Sequence, residues 1–211
     1  MHRYFIKTPW IVRKYFHNYV WRKETTAQEV FLTFDDGPHP VVTPWVLAQL
    51  KLYDVKATFF CIGDNVLKHP ETYRQILNEG HAVGNHTFHH LNGWETSNDV
   101  YWQNIRKASA VIDSGLFRPP YGRITNKQAK GVAAAMNRTD AKIIMWDVLS
   151  ADFDQHYTKE QCLKNVLSNY RPGSIIVFHD SEKAFPNLKY ALPETLRILS
   201  NEGYSFDKIG L

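Results

Sequence analysis

Short apolar runs alternate along this chain with longer stretches in which apolar residues recur at helical spacing. The runs fall at 30–34, 57–62, 81–84, 116–118, 141–146, 174–178 and 204–206, and are rich in β-branched and aromatic residues. Between them lie 42–53, 70–79, 95–113, 126–137, 158–170 and 192–201, which predict helices. Asn126 and Thr158 are placed to cap helix starts, and Gly80 and Gly203 to stop helices. This alternation predicts an α/β fold, a parallel sheet or barrel with helices outside, and in such folds chemistry gathers where strands end in loops. No repeat, low-complexity tract or Pro/Ser linker interrupts residues 29–211, so they read as one domain.

Residues 1–28 read as an N-terminal amphipathic helical segment. Thr8-Pro9 resembles a helix start, and Val12, Tyr15, Phe16, Tyr19 and Val20 form an apolar stripe with Arg13, Lys14 and Arg22 largely off it. Two readings stay open, a helix lying in a membrane interface and a helix plugging the bottom of the barrel. The second is the expectation carried into the fold: an N-terminal helix packed on the barrel.

Composition narrows the class. Of 211 residues, 44% are hydrophobic and 22% charged, ordinary values for a globular protein. The net charge of +4 is spread along the chain, which argues against a nucleic-acid partner. Two cysteines, Cys61 and Cys162, exclude a disulfide framework and a multi-cysteine zinc finger, and are expected as packed thiols. No stretch approaches the roughly 18–20 apolar residues of a transmembrane span, and no signal-peptide core is visible. The expectation is a cytoplasmic protein, with contact at a membrane face as the alternative.

The chemistry begins at FLTFDDGPHP, residues 31–40, where an apolar strand ends in Asp35 and Asp36. Adjacent carboxylates repel, so the pair implies a positive partner. GNHTFHH, residues 84–90, supplies one: His86 and His90 stand four apart, a spacing that on a helical turn puts both imidazoles on one face. Two neutral imidazoles and a carboxylate are a common catalytic zinc set. One aspartate would then bind the metal while its neighbour faces the water that the metal activates.

TFDDGP (33–38), HTFHH (86–90), RPPYG (118–122), SADF (150–153) and IIVFHDS (175–181) together resemble the polysaccharide deacetylases, carbohydrate esterase family four, over residues 29–206. The resemblance implies a distorted (β/α) barrel of seven or eight parallel strands and a divalent metal, zinc in the first place and Co2+ or Ni2+ otherwise. Asp36, His86 and His90 resemble the metal ligands and Asp35 the general base, with Arg118 holding that base. Tyr121 would offer its backbone N–H to the developing oxyanion. His179 resembles the general acid, and Asp152 the carboxylate that orients it. Phe153 and Val177 are expected to line the acetyl pocket. The implied reaction removes N-acetyl groups from an N-acetylated oligo- or polysaccharide.

The fourth motif departs from the family's usual Asp-Ser-x-Asp-Trp: it keeps Asp152 but has Phe153 in place of the tryptophan. Trp94, Tyr101 and Trp102 are candidates for stacking on sugar rings. His39, His81 and His89 are given no chemical role. The alternatives are an O-acetyl esterase or cyclic-amide hydrolase on the same metal site, and a silent carbohydrate-binding module.

Overall fold

The computed structural model describes residues 4–210. Helix α1 (Trp10–Tyr15) precedes β1 (Glu29–Asp35), α2 (Val42–Leu52) and β2 (Thr58–Cys61). Two short helices, α3 (Gly63–Lys68) and α4 (Pro70–Asn78), lead to β3 (Ala82–Asn85) and α5 (Asn98–Ser109). Then come β4 (Leu116–Phe117), α6 (Asn126–Lys130), α7 (Val132–Met136), β5 (Lys142–Ile143) and β6 (Val148–Leu149). The chain ends with α8 (Lys159–Leu167), β7 (Ile175–His179), α9 (Phe185–Asn201) and β8 (Ser205–Phe206). Seven strands follow the order β5-β4-β3-β2-β1-β7-β6, all parallel, and β8 adds to the start of β1. The sheet curls into a half-barrel with helices outside, as expected.

The two-residue period of a strand explains where the site lies. On β1, Val30, Leu32 and Phe34 face outward into the main core beneath the helices, with Phe59 of β2 and Ile176 and Phe178 of β7. Phe31, Phe60 and Ile175 face inward, into a separate cluster with Leu116 and Ile144. Asp35 shares the inward face of β1 with Phe31 and Thr33. His179 shares that of β7 with Ile175 and Val177. Carboxylate and imidazole therefore emerge together at the carboxyl ends of neighbouring strands, as the alternation of the sequence dictates.

Most predicted elements hold, but α3 was not expected, α6 is capped by the Thr125 hydroxyl rather than by Asn126, and three further differences stand out. The run at 141–146 yields only β5; the chain then turns at Met145–Asp147 and forms β6, a strand too short to leave a periodic signal. The helix expected over 126–137 divides at Gly131, where the Trp102 indole packs so closely that a Cβ has no room. The helix expected at 192 starts at Phe185 and carries Pro193 in its interior.

The N-terminal segment is mostly not helical. Among its described residues only Trp10–Tyr15 coil, while flanking residues bridge to the half-barrel: Lys7 pairs with Val148, Val20 with Ile144 and Arg22 with Ser174. Val12, Phe16 and Tyr19 cover a core of Tyr101, Phe117, Met136 and Met145, whereas Trp10, Ile11 and Tyr15 are exposed. The segment thus laces the seam between β5 and β6, with Val20 packed on the inward cluster. No described helix is long and apolar enough to cross a membrane. Cys61 and Cys162 are both free and buried.

Candidate active site and metal centre

The Asp36, His86 and His90 side chains converge at the carboxyl ends of β1 and β3. One ligand atom from each lies within 4.8 Å of the others. Asp36 Oδ1 is 3.1 Å from His90 Nε2 and 3.6 Å from His86 Nε2. The histidines meet through a loop, not through the helical turn that their spacing suggested. Residues 86–90 carry no helix, and Thr87 and His90 adopt left-handed φ values of 62° and 55°. Asn104 of α5 holds this loop by accepting the backbone N–H groups of Phe88 and His89 at 2.7 and 2.9 Å, and Asn85 accepts that of Thr87 at 2.8 Å. Asp36 itself has φ 80°, and the Asn65 side chain donates to its carbonyl at 2.8 Å. Tyr121 and Ala151 are left-handed as well, so five of the seven described non-glycine residues with positive φ belong to the segments that form this site.

The donor set fits a divalent cation. His86 is buried and its Nδ1 lies 2.8 Å from the Arg118 carbonyl; a carbonyl only accepts, so Nδ1 carries the proton and Nε2 presents a bare lone pair toward Asp36. Burial lowers the His86 pKa to about 4, which keeps the ring neutral. Burial alone would raise the Asp36 pKa. The His90 hydrogen bond and the fields of His179, His90 and His86 outweigh it and hold the carboxyl well below the usual range. A charged carboxylate and a neutral imidazole are the forms that bind zinc.

Asp35 points to the same cavity under tight control. The fully buried Arg118 donates to Asp35 Oδ1 at 2.6 Å and to Thr33 Oγ1 at 2.8 Å, both on the inward face of β1. Its remaining donors reach the Ile144 and Met145 carbonyls at 3.1 and 3.0 Å, and the guanidinium lies 4.0 Å over the Phe60 ring. Every contact fixes its direction, and it fixes that of Asp35.

Beside them, Asp152 is fully buried and accepts from His179 twice, from the backbone N–H at 2.9 Å and from ring Nδ1 at 2.8 Å. Burial by itself would lower the His179 pKa. The Asp152 charge and hydrogen bond, helped by Asp36 and Asp35, outweigh it and raise the value to about 9. Phe153 meets the His179 ring edge-on at 4.8 Å.

Asp35, Asp36, His86, His90 and His179 open on one cavity of about 430 Å³, whose walls include Tyr121, Phe153, Val177 and Leu149. Tyr121 is exposed and packs its ring on His90 at 4.6 Å. The stacking candidates divide. Trp94 is exposed, with Arg123 over its ring at 5.2 Å. Tyr101 is fully buried core, and Trp102 is half-buried with its indole N–H donating to the Gln128 carbonyl at 3.0 Å, so neither offers a sugar-facing surface. His39 accepts the N–H groups that open α2, His81 accepts that of Ala57, and His89 pairs with Asn104; all three support structure.

Two contributors were missed. Asp180, fully buried, accepts from Gly37 N–H at 3.0 Å and from the Thr43 hydroxyl at 2.5 Å, anchoring the turn after Asp36. The sequence alone assigns it no role. Tyr4 reaches the cavity from the N-terminal segment, and no local pattern marks it.

The family model for polysaccharide deacetylase matches residues 22–140, more than half of the chain. The chain belongs to the polysaccharide deacetylase family. A peptidoglycan-N-acetylglucosamine deacetylase of Bacillus cereus is 38% identical over 159 residues, 72% of this chain and 56% of that protein. The crystal structure of the Bc1960 peptidoglycan N-acetylglucosamine deacetylase, in complex with 4-naphthalen-1-yl-N-oxidanyl-benzamide, superposes with a TM-score of 0.85 and 32% identity, covering 96% of this chain and 95% of that one. BA3943 from Bacillus anthracis, a CE4 family pseudoenzyme, superposes at 0.77 with 26% identity over 90% of this chain and 66% of that one. Among the first curated relatives, this polysaccharide deacetylase chain spans about half the length or less, 56% and 38% in two cases. A polysaccharide deacetylase fold therefore occurs with and without activity, and the side chains of the site must carry the argument for turnover.

Proposed function

We propose that this chain hydrolyses the N-acetyl group of an N-acetylated oligo- or polysaccharide, using zinc held by Asp36, His86 and His90, with cobalt or nickel as substitutes. The glycan class suggested by the relatives contains N-acetylglucosamine. The reading rests on one observation: a cation-ready donor set, a carboxylate locked by a buried arginine and an imidazole of raised pKa share one cavity. A silent module has no use for the last two.

When bound, a divalent ion supplies Lewis acidity, which acidifies water and polarises a carbonyl. The chain's own residues supply the rest. Arg118 occupies Asp35 Oδ1, so the other carboxylate oxygen takes the proton of the attacking water. The Tyr121 backbone N–H donates to the acetyl oxygen as it gains charge, a kind of contact worth roughly 3–4 kcal/mol. Asp152 engages Nδ1 of His179, leaving Nε2 to deliver a proton to the departing amine nitrogen. Phe153 and Val177 wall the acetyl methyl. An amine leaves far less readily than an alcohol without a proton, so an acid charged up to about pH 9 suits an amide more than an ester.

Acetate release is the test, from N-acetylglucosamine oligosaccharides and from O-acetylated xylan oligosaccharides, in chelated protein and after zinc is added back. Release from the N-acetyl substrates only after zinc return is expected. Release from O-acetyl substrates alone would make the chain an esterase, and release from neither would make it silent.

A further inference from the structure

We propose that Tyr4 is a specificity-determining residue of this site: backing Phe153, it closes the acetyl pocket and sets the length of acyl group accepted. The proposal rests on the deacetylase reading. Residues 6–8 are fixed along the edge of β6, where Leu149 N–H donates to the Ile6 carbonyl at 2.8 Å and Thr8 N–H to the Asp147 carbonyl at 3.0 Å. Lys7 Nζ reaches the fully buried Asp147 at 2.7 Å and the Asn169 carbonyl at 2.6 Å, while the Thr8 hydroxyl donates to the Trp146 carbonyl at 2.7 Å. So anchored, the segment brings Tyr4 to the cavity wall.

There Tyr4 is the outermost of three rings in contact. It packs edge-on against Phe153 at 5.4 Å and 60°, and Phe153 packs edge-on against His179 at 4.8 Å and 65°. Its hydroxyl donates to Asp154, two residues beyond the aspartate that charges His179. Burial first, and Asp154 next, raise the phenol's pKa, so it stays a neutral donor. Hydrogen bond and ring contact together hold the 152–154 turn and its phenyl ring in place. Phe153 alone is a single-ring wall, and Tyr4 supplies a second ring behind it. Without it, Phe153 gains room to swing away from Val177 and the pocket lengthens.

The experiment compares acetate with propionate release from N-acetyl and N-propionyl glucosamine oligosaccharides by the zinc-loaded full chain. Wild type should favour the acetyl substrate, and Tyr4→Ala should raise the propionyl-to-acetyl ratio of kcat/KM by about tenfold or more, the discrimination one methylene carries in a fitted pocket. Tyr4→Phe keeps the ring and should keep the ratio within about twofold, a distinction that a general loss of stability does not produce. An unchanged ratio in Tyr4→Ala at unchanged metal content overturns the proposal. Should that variant fail to fold, Tyr4→Leu reads the same ratio under the same criterion. No acid from wild type on either substrate overturns the deacetylase reading instead, and the pocket proposal with it.

Discussion

Asp35 and His179 sit directly in register on the neighbouring parallel strands β1 and β7, with both side chains on the inward face. The residue expected to take a proton and the residue expected to give one are therefore fixed by a ladder of backbone hydrogen bonds. Each is held by a different buried partner. A buried guanidinium holds Asp35, and a buried carboxylate holds His179.

Asp152→Asn should move the alkaline limb of the pH–rate profile. His179 has a pKa raised to about 9, above its ordinary 6.5, so its charged form is present at neutral pH and is lost as pH rises through about 9. Removing the Asp152 charge leaves burial opposed only by the weaker fields of Asp36 and Asp35, so the pKa falls. Activity should fall about tenfold or more at pH 8 and much less at pH 6. The same shift is a stability statement. The contribution is complete below 6.5 and lost between 6.5 and 9, so wild-type Tm should decline across that window and the variant's should stay flatter. An alkaline limb that stays in place in Asp152→Asn removes the general-acid assignment.

Asp35→Asn should separate metal binding from turnover. Asp35 is outside the triad, so bound zinc measured by elemental analysis should be unchanged while acetate release drops about 10²–10⁴-fold. The buried Arg118 loses its charge partner, so Tm should fall too; breaking one side of a buried pair costs about 3–5 kcal/mol, less here because the asparagine oxygen still accepts. Full activity in the variant would show that another group takes the proton.

The site was more legible in the sequence than the frame around it, for physical reasons. Asp35, Asp36, His86, His90, Asp152 and His179 stand at or just beyond strand ends, where polar residues break apolar runs and so declare themselves. Phe153 and Val177 line the cavity. The His86–His90 spacing pointed to two side chains that do converge, but through a loop and not a helical turn, since Asn85 and Asn104 bond the loop into a shape that no periodicity encodes. β6 is two residues long, and α9 runs through Pro193 because Leu188, Leu192 and Leu196 bury one continuous stripe. The N-terminal stripe looked helical over 8–23, yet past Tyr15 it forms sheet-edge bridges whose partners lie over a hundred residues away. Only tertiary contact selects that.

His86→Ala should abolish metal-linked stabilisation. His86 Nε2 is oriented by the Arg118 carbonyl, and a ligand that binds only the folded state raises Tm with its concentration. Zinc added to chelated wild type should raise Tm by several degrees, and the variant should show no such rise. Equal zinc content in the two proteins would remove His86 from the ligand set.

Asp180→Ala tests whether the turn beneath Asp36 is part of the metal site's support. The carboxylate satisfies Gly37 N–H and the Thr43 hydroxyl in a fully buried position, and its own N–H donates to the Asp35 carbonyl at 3.1 Å. Truncation strands two donors, each costing about 1–3 kcal/mol, and frees the segment that presents Asp36. Outer partners of metal ligands typically cost about 10–100-fold in affinity when removed. Zinc affinity, measured by competition with a chromophoric chelator, should fall by that order, and Asp180→Asn, which can still accept one bond, should fall less. Unchanged zinc affinity alongside a lowered Tm would confine Asp180 to folding.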